Sequence, residues 1–551
     1  MGGRKVNNKF LKIGLRILIV VLLLLLVAFV IKVAPNYKFP EDSDKIKLIL
    51  NNKKANLKKD IFVENGIVYI SKEDISTYFD IYLYIDEKNN QLITTYDKHI
   101  AVILLNEDKM IINGVEEQIS GKIINRNETL YIPFSEMKTI YDVDVKYVEM
   151  YKNVIVDSYS REQKQAICDK NLSVKWKNTT FSRTVDKVKK GDSVVIVENG
   201  DKWTKVRTTN GEIGYVKSNK LSNETYIREN MTDEVRQDKI SILWDYYSDY
   251  GVCPDRTGEK FEGINVVSPA FFSLVKRGQG DIVDKVGKSG LNYIEWAKSN
   301  NYEVWAMVQN DGMIETTSEI LNSYELRNKT IENIVNYAIK YKLDGINIDF
   351  ENMYYADKDL FSRFIIELYP RLKEYGITLS VDVTAPDGSE NWSLCYDRLT
   401  ISKNCDYIVF MGYDQYGDSV VGTTAGYNWV RSSLDKFTSD KRECVDASRI
   451  ILGIPFYTKI WKDDISTVVN MSKVYDNIPD GVEKVWDDEL KQYYVEYEKN
   501  GSTYKMWIED EESMKYKLDL VNEYNLAGAA FWESDREPET VWPIIKQKLG
   551  L

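Results

Sequence analysis

Two carboxylates stand two residues apart in a segment that alternates between apolar and polar side chains. Residues 343–351 read LDGINIDFE. A β-strand directs alternate side chains to opposite faces, so Asn347, Asp349 and Glu351 share one face and apolar residues share the other. Two neighbouring carboxyl groups repel when both are ionised, which raises one pKa and keeps an acid protonated near neutral pH. The segment is therefore predicted to be an active-site strand in a barrel with a polar opening.

Composition restricts the chemistry that this strand can serve. The chain has 551 residues, a formal net charge of −12 and a single histidine, His99. The negative charge argues against general affinity for nucleic acid. A three-histidine zinc site is excluded, and histidine-based triads would need His99. The five cysteines show no Cys-x-x-Cys spacing and are expected to be buried thiols. Carboxylate chemistry on a neutral substrate, without metal or cofactor, is predicted.

The C-terminal region, 233–551, alternates predicted strands with predicted helices. Eight strands separated by helices indicate a (β/α)8 TIM barrel, whose active site lies at the C-terminal ends of the strands. Polar residues fall at those predicted ends, including Gln309 and Trp532-Glu533. The predicted strands cover residues 240–244, 263–268, 303–308, 344–351, 377–384, 406–413, 449–457 and 526–533.

Three motifs in this region resemble those of glycoside hydrolase family 18, the chitinases and related N-acetylglucosaminidases. They are DGINIDFE at 344–351, MGYD at 411–414 and AFWE at 530–533, each at the end of a predicted strand. In that family the 2-acetamido oxygen of the substrate attacks the anomeric carbon, so one strong acid is enough. The resemblance implies a glycosidase acting on β-linked N-acetylglucosamine.

The resemblance also implies a role for each motif residue. Glu351 would protonate the leaving glycosidic oxygen and later deprotonate water, while Asp349 would orient the acetamido group and stabilise the oxazolinium ion. Tyr413 would donate a hydrogen bond to the acetamido carbonyl. The predicted substrate-binding residues are Asn347, Met411, Asp414, Gln309 and Trp532, the last forming the floor beneath the sugar.

Asn347 departs from the commonest family pattern, which has Asp at this position. Without a carboxylate behind it, Asp349 is expected to ionise more readily. The proton-sharing step described for many chitinases is therefore left open, whereas the core activity is expected to remain with Glu351 and Asp349.

An apolar run covers residues 17–31, after a basic N-terminal segment and before Lys32. The run is shorter than the roughly 20 residues of a typical span, although flanking residues extend it. No good cleavage site follows it, so residues 1–35 are predicted to be a cytoplasmic stub with an uncleaved transmembrane signal anchor. The basic flank predicts that the later domains lie outside the cell.

Residues 45–158 contain short β-type runs and two similar phrases, NGIVYIS at 65–71 and NETLYIPF at 127–134. This region resembles the copper-amine-oxidase N-terminal-like domains of bacterial envelope proteins, an α+β type. No copper site is expected because His99 stands alone. A spacer or wall-contacting role is favoured.

Residues 165–222 read as a five-stranded small barrel. The phrases KGDSV at 190–194, WTKVR at 203–207 and GYVK at 214–217 resemble a bacterial SH3 domain. Such a module implies binding of wall peptide or glycan through exposed aromatic residues.

The favoured substrate is peptidoglycan or a related wall glycan. Between Trp461 and Leu526 the sequence predicts only a hairpin, at 493–497 and 502–508, and a helix from Ser513. This resembles spore-cortex and cell-wall N-acetylglucosaminidases more than deep-groove chitinases. Two alternatives remain open at this stage: a non-catalytic glycan-binding wall protein and a secreted chitinase.

Overall fold

The computed structural model describes residues 8–37, 44–228, 236–248, 251–417, 420–439 and 444–551. The chain divides into two compact units. One unit comprises residues 1–96 and 101–234, and the other comprises residues 97–100 and 235–551. Each unit has its own hydrophobic core.

The first unit begins with helix α1 (Asn8–Val33), whose described side chains are almost all exposed. The segment Lys12–Asn36 is long and apolar enough to cross a membrane. A signal sequence has the same length and composition, so this finding establishes an apolar N-terminal helix and no more.

The region predicted to be an α+β domain forms three small sheets and two short helices, α2 (Lys72–Tyr78) and α3 (Lys138–Tyr141). Its strands are β1 (Lys47–Leu50), β2 (Lys53–Lys54), β3 (Phe62–Glu64), β4 (Ile67–Ser71), β5 (Tyr84–Asp86), β6 (Gln91–Tyr96), β7 (His99–Leu104), β8 (Lys109–Ile112), β9 (Val115–Gln118), β10 (Ile124–Arg126), β11 (Thr129–Pro133), β12 (Val143–Val148) and β13 (Asn153–Ser158).

The two similar phrases of this region occupy equivalent places in the fold. Each supplies a strand, β4 or β11, that leads into a helix, and these two strands pair antiparallel with Ile70 opposite Ile132. Both strands are preceded by a residue in the left-handed region, Asn65 and Asn127. The sequence repeat is therefore also a structural repeat.

Residues 163–228 form one antiparallel sheet of seven strands, two more than the five predicted. The two additional strands are the first and the last of this region, β14 and β20. Strand β14 pairs with both β17 and β20. The strands are β14 (Gln163–Cys168), β15 (Leu172–Lys175), β16 (Thr184–Val188), β17 (Ser193–Glu198), β18 (Trp203–Arg207), β19 (Ile213–Lys217) and β20 (Leu221–Arg228).

The second unit contains the predicted closed barrel of eight parallel strands. Their circular order is β21, β22, β25, β26, β27, β28, β29 and β35, and pairing of β21 with β35 closes the ring. The prediction of eight barrel strands is confirmed. The barrel strands are β21 (Ile240–Asp245), β22 (Val266–Pro269), β25 (Glu303–Gln309), β26 (Gly345–Asp349), β27 (Thr378–Val383), β28 (Tyr407–Met411), β29 (Ile450–Pro455) and β35 (Gly528–Trp532). Two short strands outside the ring, β23 (Phe272–Leu274) and β24 (Ile282–Asp284), extend the sheet beside β25.

Helices pack around the barrel and bury apolar faces against its outer surface. They are α4 (Gly287–Ser299), α5 (Ile314–Asn322), α6 (Tyr324–Tyr341), α7 (Lys358–Lys373), α8 (Arg398–Lys403), α9 (Tyr427–Ser439), α10 (Glu511–Glu523) and α11 (Val541–Leu549).

A second sheet is inserted between barrel strands β29 and β35. It has five antiparallel strands, so the prediction of only a hairpin is wrong. The predicted hairpin is present as β33 and β34, but three short strands accompany it, and much of β31 is exposed and lacks a clear apolar alternation. The strands are β30 (Tyr457–Lys462), β31 (Ile465–Asn470), β32 (Val485–Asp487), β33 (Gln492–Lys499) and β34 (Ser502–Ile508).

Candidate active site

The motif strand β26 lies in the barrel wall, with its apolar and its polar side chains on opposite faces as predicted. Ile346, Ile348 and Phe350 are fully buried, and Phe350 stacks on Phe364 of α7 with ring centroids 5.5 Å apart. The strand begins at Gly345, where a Cβ atom would lie 2.5 Å from the Trp305 ring, so no larger residue fits without a shift. Packing of Phe350 on the outer face, and of Gly345 against Trp305 on the face that carries the acids, fixes the strand.

A cavity of about 120 Å³ opens at the C-terminal end of the barrel. Most of its lining residues come from the ends of β26, β27, β28 and β35 or from the segments that follow them, the position expected of a barrel active site. The lining residues are Asp349, Glu351, Asp382, Thr384, Trp392, Met411, Tyr413, Asp414 and Trp532.

The carboxyl group of Asp349 is buried, and only part of its capacity to accept hydrogen bonds is used. Its Oδ2 accepts a hydrogen bond of 3.2 Å from the Gln309 side-chain amide. Its Oδ1 accepts no hydrogen bond from an amide, hydroxyl or backbone N–H group among the described residues. Burial raises the pKa of Asp349 to about 6, and hydrogen bonds from Gln309 and Glu351 act in the opposite direction. Asp349 is thus ionised at neutral pH, and its Oδ1 can accept a hydrogen bond from a ligand.

Glu351 lies just beyond the end of β26 and is held there through its backbone. Its N–H donates to Asn310 Oδ1 at 3.0 Å, and its carbonyl accepts from Asn310 Nδ2 at 2.8 Å. Burial, and then the negative charge of Asp349, raise the pKa of the Glu351 carboxyl well above its ordinary value. At neutral pH, Glu351 is therefore the protonated member of the pair, as a general acid requires.

Asn347 lies behind the cavity, where its amide is fully engaged. Its Oδ1 accepts from Trp244 Nε1 at 3.0 Å, and its Nδ2 donates to Ser380 Oγ at 3.0 Å and to Asp382 Oδ1 at 2.7 Å. Neither Asn347 nor Gln309 is among the described residues that line the cavity. The structure therefore places both amides next to the acids rather than in the opening.

Asp382 is a further carboxylate of the cavity that sequence reasoning missed. It is 2% exposed and lines the same cavity as Asp349 and Glu351. Burial, and then the charge of Asp349, raise its pKa well above the ordinary value. Ser380, Asp382 and Thr384 alternate along β27 and just beyond it in the same way as the polar residues of β26. That alternation was the signal that could have identified Asp382.

The second and third motifs supply the remaining predicted cavity residues. Met411, Tyr413 and Asp414 follow from the end of β28, and burial raises the pKa of the Tyr413 hydroxyl well above its ordinary value. Asp414 Oδ1 accepts from Tyr457 at 2.8 Å and lies 3.0 Å from Lys459 Nζ. The inserted sheet begins with these two partners, so it fixes one wall of the cavity.

Trp532 lies at the end of β35 and contributes its ring to the cavity. Its ring meets Trp244 edge to face at 5.7 Å and lies 5.9 Å from the Tyr246 ring. Trp392, which sequence reasoning missed, lines the cavity from the segment after β27, where Thr384 Oγ1 donates to its carbonyl. The cavity therefore combines carboxyl groups with two indole rings that suit a sugar.

The model of Glycosyl hydrolases family 18 matches residues 242–537, more than half of the chain. The chain belongs to this family. It is a glycoside hydrolase, and the family assignment made from the three motifs is confirmed. The model of the copper amine oxidase N-terminal domain matches residues 44–156, which supports the resemblance proposed for that region.

Family 18 relatives cover the barrel. An uncharacterized glycosylase of Bacillus subtilis, YvbX, is 27% identical over 301 residues, or 52% of this chain and 84% of the relative. The cortical fragment-lytic enzyme of Bacillus anthracis is 27% identical over 257 residues, or 43% of this chain and 57% of the relative. A chitinase structure from Chromobacterium violaceum superposes with a TM-score of 0.51 at 24% identity, covering 57% of this chain and 99% of that one, which establishes the fold.

Proposed function

We propose that this family 18 protein is a membrane-anchored hydrolase that cleaves β-linked N-acetylglucosamine in peptidoglycan or a related wall glycan by substrate-assisted, retaining catalysis. The observation that carries the proposal is the buried Oδ1 of Asp349, which shares the cavity with Glu351 and accepts no hydrogen bond from an amide, hydroxyl or backbone N–H group among the described residues. An acetamido N–H of a bound sugar would supply that donor. A buried acceptor without a partner is costly, so the site is built to receive one.

In the first step, the substrate's acetamido oxygen attacks the anomeric carbon from the face opposite the leaving group. The bond between this carbon and the glycosidic oxygen breaks, and Glu351 transfers its proton to that oxygen. The products are the free leaving sugar and a cyclic oxazolinium ion. The negative charge of Asp349 stabilises the positive charge that develops on the ring.

In the second step, water attacks the anomeric carbon and opens the oxazolinium ring. Glu351, now ionised, removes a proton from the water and so returns to its starting state. The acetamido oxygen leaves the anomeric carbon and the configuration is retained, because two displacements have occurred on opposite faces. Tyr413, whose hydroxyl stays protonated, donates a hydrogen bond to the acetamido carbonyl.

Asp382 acts as the neutral neighbour of Asp349 in this scheme. Two buried carboxyl groups that influence each other do not ionise together easily. Burial and the negative charge of Asp349 raise the pKa of Asp382 well above its ordinary value, so Asp382 retains its proton while Asp349 is ionised. Asn347 holds this arrangement by donating to Asp382 Oδ1. A carboxyl group on the next strand therefore takes the place of the Asp that the family commonly has at position 347.

The choice of a wall glycan as substrate rests on a relative of the barrel domain and on the segments that precede this domain in the chain. A cortical fragment-lytic enzyme is among the relatives of this chain, and an apolar helix precedes the extra domains. In this proposal α1 remains as an anchor, the later domains lie on the outer side, and the seven-stranded region binds wall peptide or glycan in the manner of an SH3 module. Secretion as a chitinase is the alternative if α1 is removed.

The test is hydrolysis of purified peptidoglycan by the full-length chain in detergent, beside its Glu351→Gln variant. The amide keeps the size of the side chain but cannot donate the proton, so we expect a loss of activity of about 10³-fold or more. Reducing ends give the rate, and mass spectrometry of the products identifies the bond cleaved. Equal release of reducing ends by the two proteins would refute the catalytic scheme.

A further inference from the structure

Trp244 lies on β21 and reaches the amide of Asn347 behind the active-site cavity. Its side chain is 1% exposed, and its ring meets the ring of Trp532 edge to face. The Ser534 N–H donates to the Trp244 carbonyl at 3.0 Å, so both the backbone and the ring of Trp244 are held. Its indole N–H donates to Asn347 Oδ1 at 3.0 Å. Trp244 is not among the described residues that line the cavity, so it can influence the reaction only through its neighbours.

The orientation of the Asn347 amide depends on what its partners can donate and accept. The amide has an oxygen that accepts hydrogen bonds and a nitrogen that donates them. The Ser380 hydroxyl can pair with either end, and so can a protonated carboxyl group at Asp382. An indole N–H can only donate. Trp244 is therefore the partner that decides the orientation, and the amide oxygen faces it.

This orientation turns the amide nitrogen of Asn347 toward β27. Its two N–H groups donate to Ser380 Oγ at 3.0 Å and to Asp382 Oδ1 at 2.7 Å, so both are used. The Ser380 hydroxyl in turn donates to the Ile346 carbonyl at 3.5 Å. Asp382 Oδ1 faces an N–H group and must accept there, so it cannot carry a proton directed at the amide. The proton that a neutral Asp382 retains is therefore confined to Oδ2.

A reversed amide would move this proton to the other oxygen of Asp382. With the amide oxygen toward β27, Asp382 would donate from Oδ1, and Oδ2 would become a carbonyl oxygen. Asp382 lines the same cavity as Asp349, whose negative charge acts on it. A hydroxyl group can direct its positive end toward that charge, whereas a carbonyl oxygen presents only its negative end. The orientation of the amide thus affects the carboxylate on which the reaction depends.

We propose that Trp244 is a positioning residue, whose indole N–H fixes the orientation of the Asn347 amide and thereby keeps the proton of Asp382 on Oδ2. This inference rests on the proposed function, because it takes Asp382 to be neutral during catalysis. Trp244 touches neither the substrate nor the reacting atoms in this scheme. Its influence passes from β21 through β26 to β27.

Infrared spectroscopy of the resting full-length protein tests the inference without turnover. At neutral pH a protonated carboxyl group gives a C=O stretching band that ionised carboxylates lack. A Glu351→Gln background removes the other protonated acid of the cavity, and Asp382→Asn identifies the Asp382 band by abolishing it. Trp244→Phe keeps a ring against Trp532 but offers no N–H, so the amide of Asn347 is free to turn.

The expected result is a shift of the Asp382 band to higher wavenumber in Trp244→Phe. In the unchanged protein the C=O of Asp382 accepts from Asn347, which weakens the C=O bond, and the turned amide no longer donates to it. Asn347→Leu provides a second route to the same measurement if Trp244→Phe does not fold. It removes the amide altogether, so the band should shift in the same direction.

Kinetics measure the consequence for the reaction. In the wild-type background Trp244→Phe should lower kcat about tenfold, which corresponds to the loss of one hydrogen bond within the buried network. KM should change little, because no group that touches the sugar is removed. In an Asp382→Asn background the same change should lower kcat by less than about twofold, since an amide at position 382 can turn together with Asn347.

Trp296→Phe is the matched control. Trp296 lies on α4, outside the ring of strands, is 7% exposed, and donates its indole N–H to the Glu259 carbonyl at 3.0 Å. Its replacement removes a bond of the same length, and we expect neither the band nor kcat to change.

An unmoved band in Trp244→Phe would overturn the inference, and so would the persistence of every carboxyl band in Asp382→Asn. An equal fall in kcat in both backgrounds would show that Trp244 does not act through Asp382. Because the band requires no turnover, equal rates for wild type and Glu351→Gln would refute the catalytic scheme and leave the spectroscopic result readable.

Discussion

The barrel unit buries carboxylates in two contrasting ways. Between α6 and α7, Glu367 meets the Arg327 guanidinium in a two-point contact of 2.8 and 3.0 Å, and both side chains are less than 5% exposed. In the cavity, Asp349 and Asp382 are also buried, but the side chains that donate to them include the neutral amides of Gln309 and Asn347 rather than a guanidinium.

This difference separates a structural carboxylate from one that handles protons. A guanidinium beside a carboxylate compensates its buried charge and favours the ionised state. An amide partner compensates little charge, so burial raises the pKa of the carboxyl and favours its protonated state. Burial, which the amide hydrogen bonds only partly offset, raises the pKa values of Asp349 and Asp382, and burial together with the charge of Asp349 raises that of Glu351.

The largest effect is expected for Asp349→Asn. Loss of the negative charge that stabilises the oxazolinium ion should lower kcat by about 10²- to 10⁴-fold. Asp349 must be ionised in wild type, so kcat/KM should fall as the pH drops below its pKa of about 6. Kinetics across the pH range would measure both effects.

The same variant tests the coupling between the two acids. Because the Asp349 charge helps to raise the pKa of Glu351, removal of that charge should let Glu351 ionise at a lower pH. The alkaline limb of residual activity should therefore move to lower pH. A limb that stays in place would show that Asp349 does not act on Glu351.

At the Glu367–Arg327 pair we expect a loss of stability with little change in kcat, the opposite of the result expected at Asp349. Glu367→Gln leaves the buried Arg327 guanidinium without its counter-ion, and should lower the free energy of unfolding by about 3–5 kcal/mol. The kcat of the folded protein should stay close to that of wild type. Denaturant unfolding and kinetics on the same preparation would measure both quantities.

Glu523→Gln is the control for this experiment. Glu523 pairs with Arg431, but both side chains are at least 40% exposed, so water can replace the lost contact. Little change in stability is expected. An equal loss in the two variants, or a large fall in kcat for Glu367→Gln, would break the distinction between structural and proton-handling carboxylates.

The barrel was predictable because its strands carry a strong local signal. Strands β25 and β26 are short apolar or alternating runs that end in polar residues, and helices follow them. The inserted sheet was harder to predict from the sequence, since β31 and β32 are short and partly exposed. They are identified chiefly by their pairing with β30 and β33. Long-range pairing of this kind leaves little trace in local sequence.

The candidate site likewise contains some residues that were predictable from the sequence and others that were not. Asp349, Glu351 and Tyr413 stand in motifs whose residue order suffices to identify them, and the structure brings all three to one cavity. Asp382 and Trp392 belong to no motif, and only the closure of β27 against β26 brings them there. Neither the position of Asn347 behind the cavity nor its bond to Asp382 could be deduced from spacing along one strand.

The smallest effect is expected for Asp382→Asn, which sharpens the comparison within the cavity itself. If Asp382 is protonated during catalysis, an amide reproduces its charge, and its oxygen still accepts from Asn347. At neutral pH, kcat should fall by no more than about tenfold, far less than in Asp349→Asn.

The stability of Asp382→Asn offers a second measurement with a defined sign. A carboxyl whose pKa is raised by folding adds stability below its unfolded pKa, and this contribution is lost as the pH rises through the folded pKa. The amide has no such titration, so the melting temperature of Asp382→Asn should decline less than that of wild type as the pH rises above about 4, the ordinary pKa of an aspartate. Parallel melting curves together with a loss of kcat as large as that of Asp349→Asn would mean that Asp382 works as an anion, and that the two cavity acids share one role.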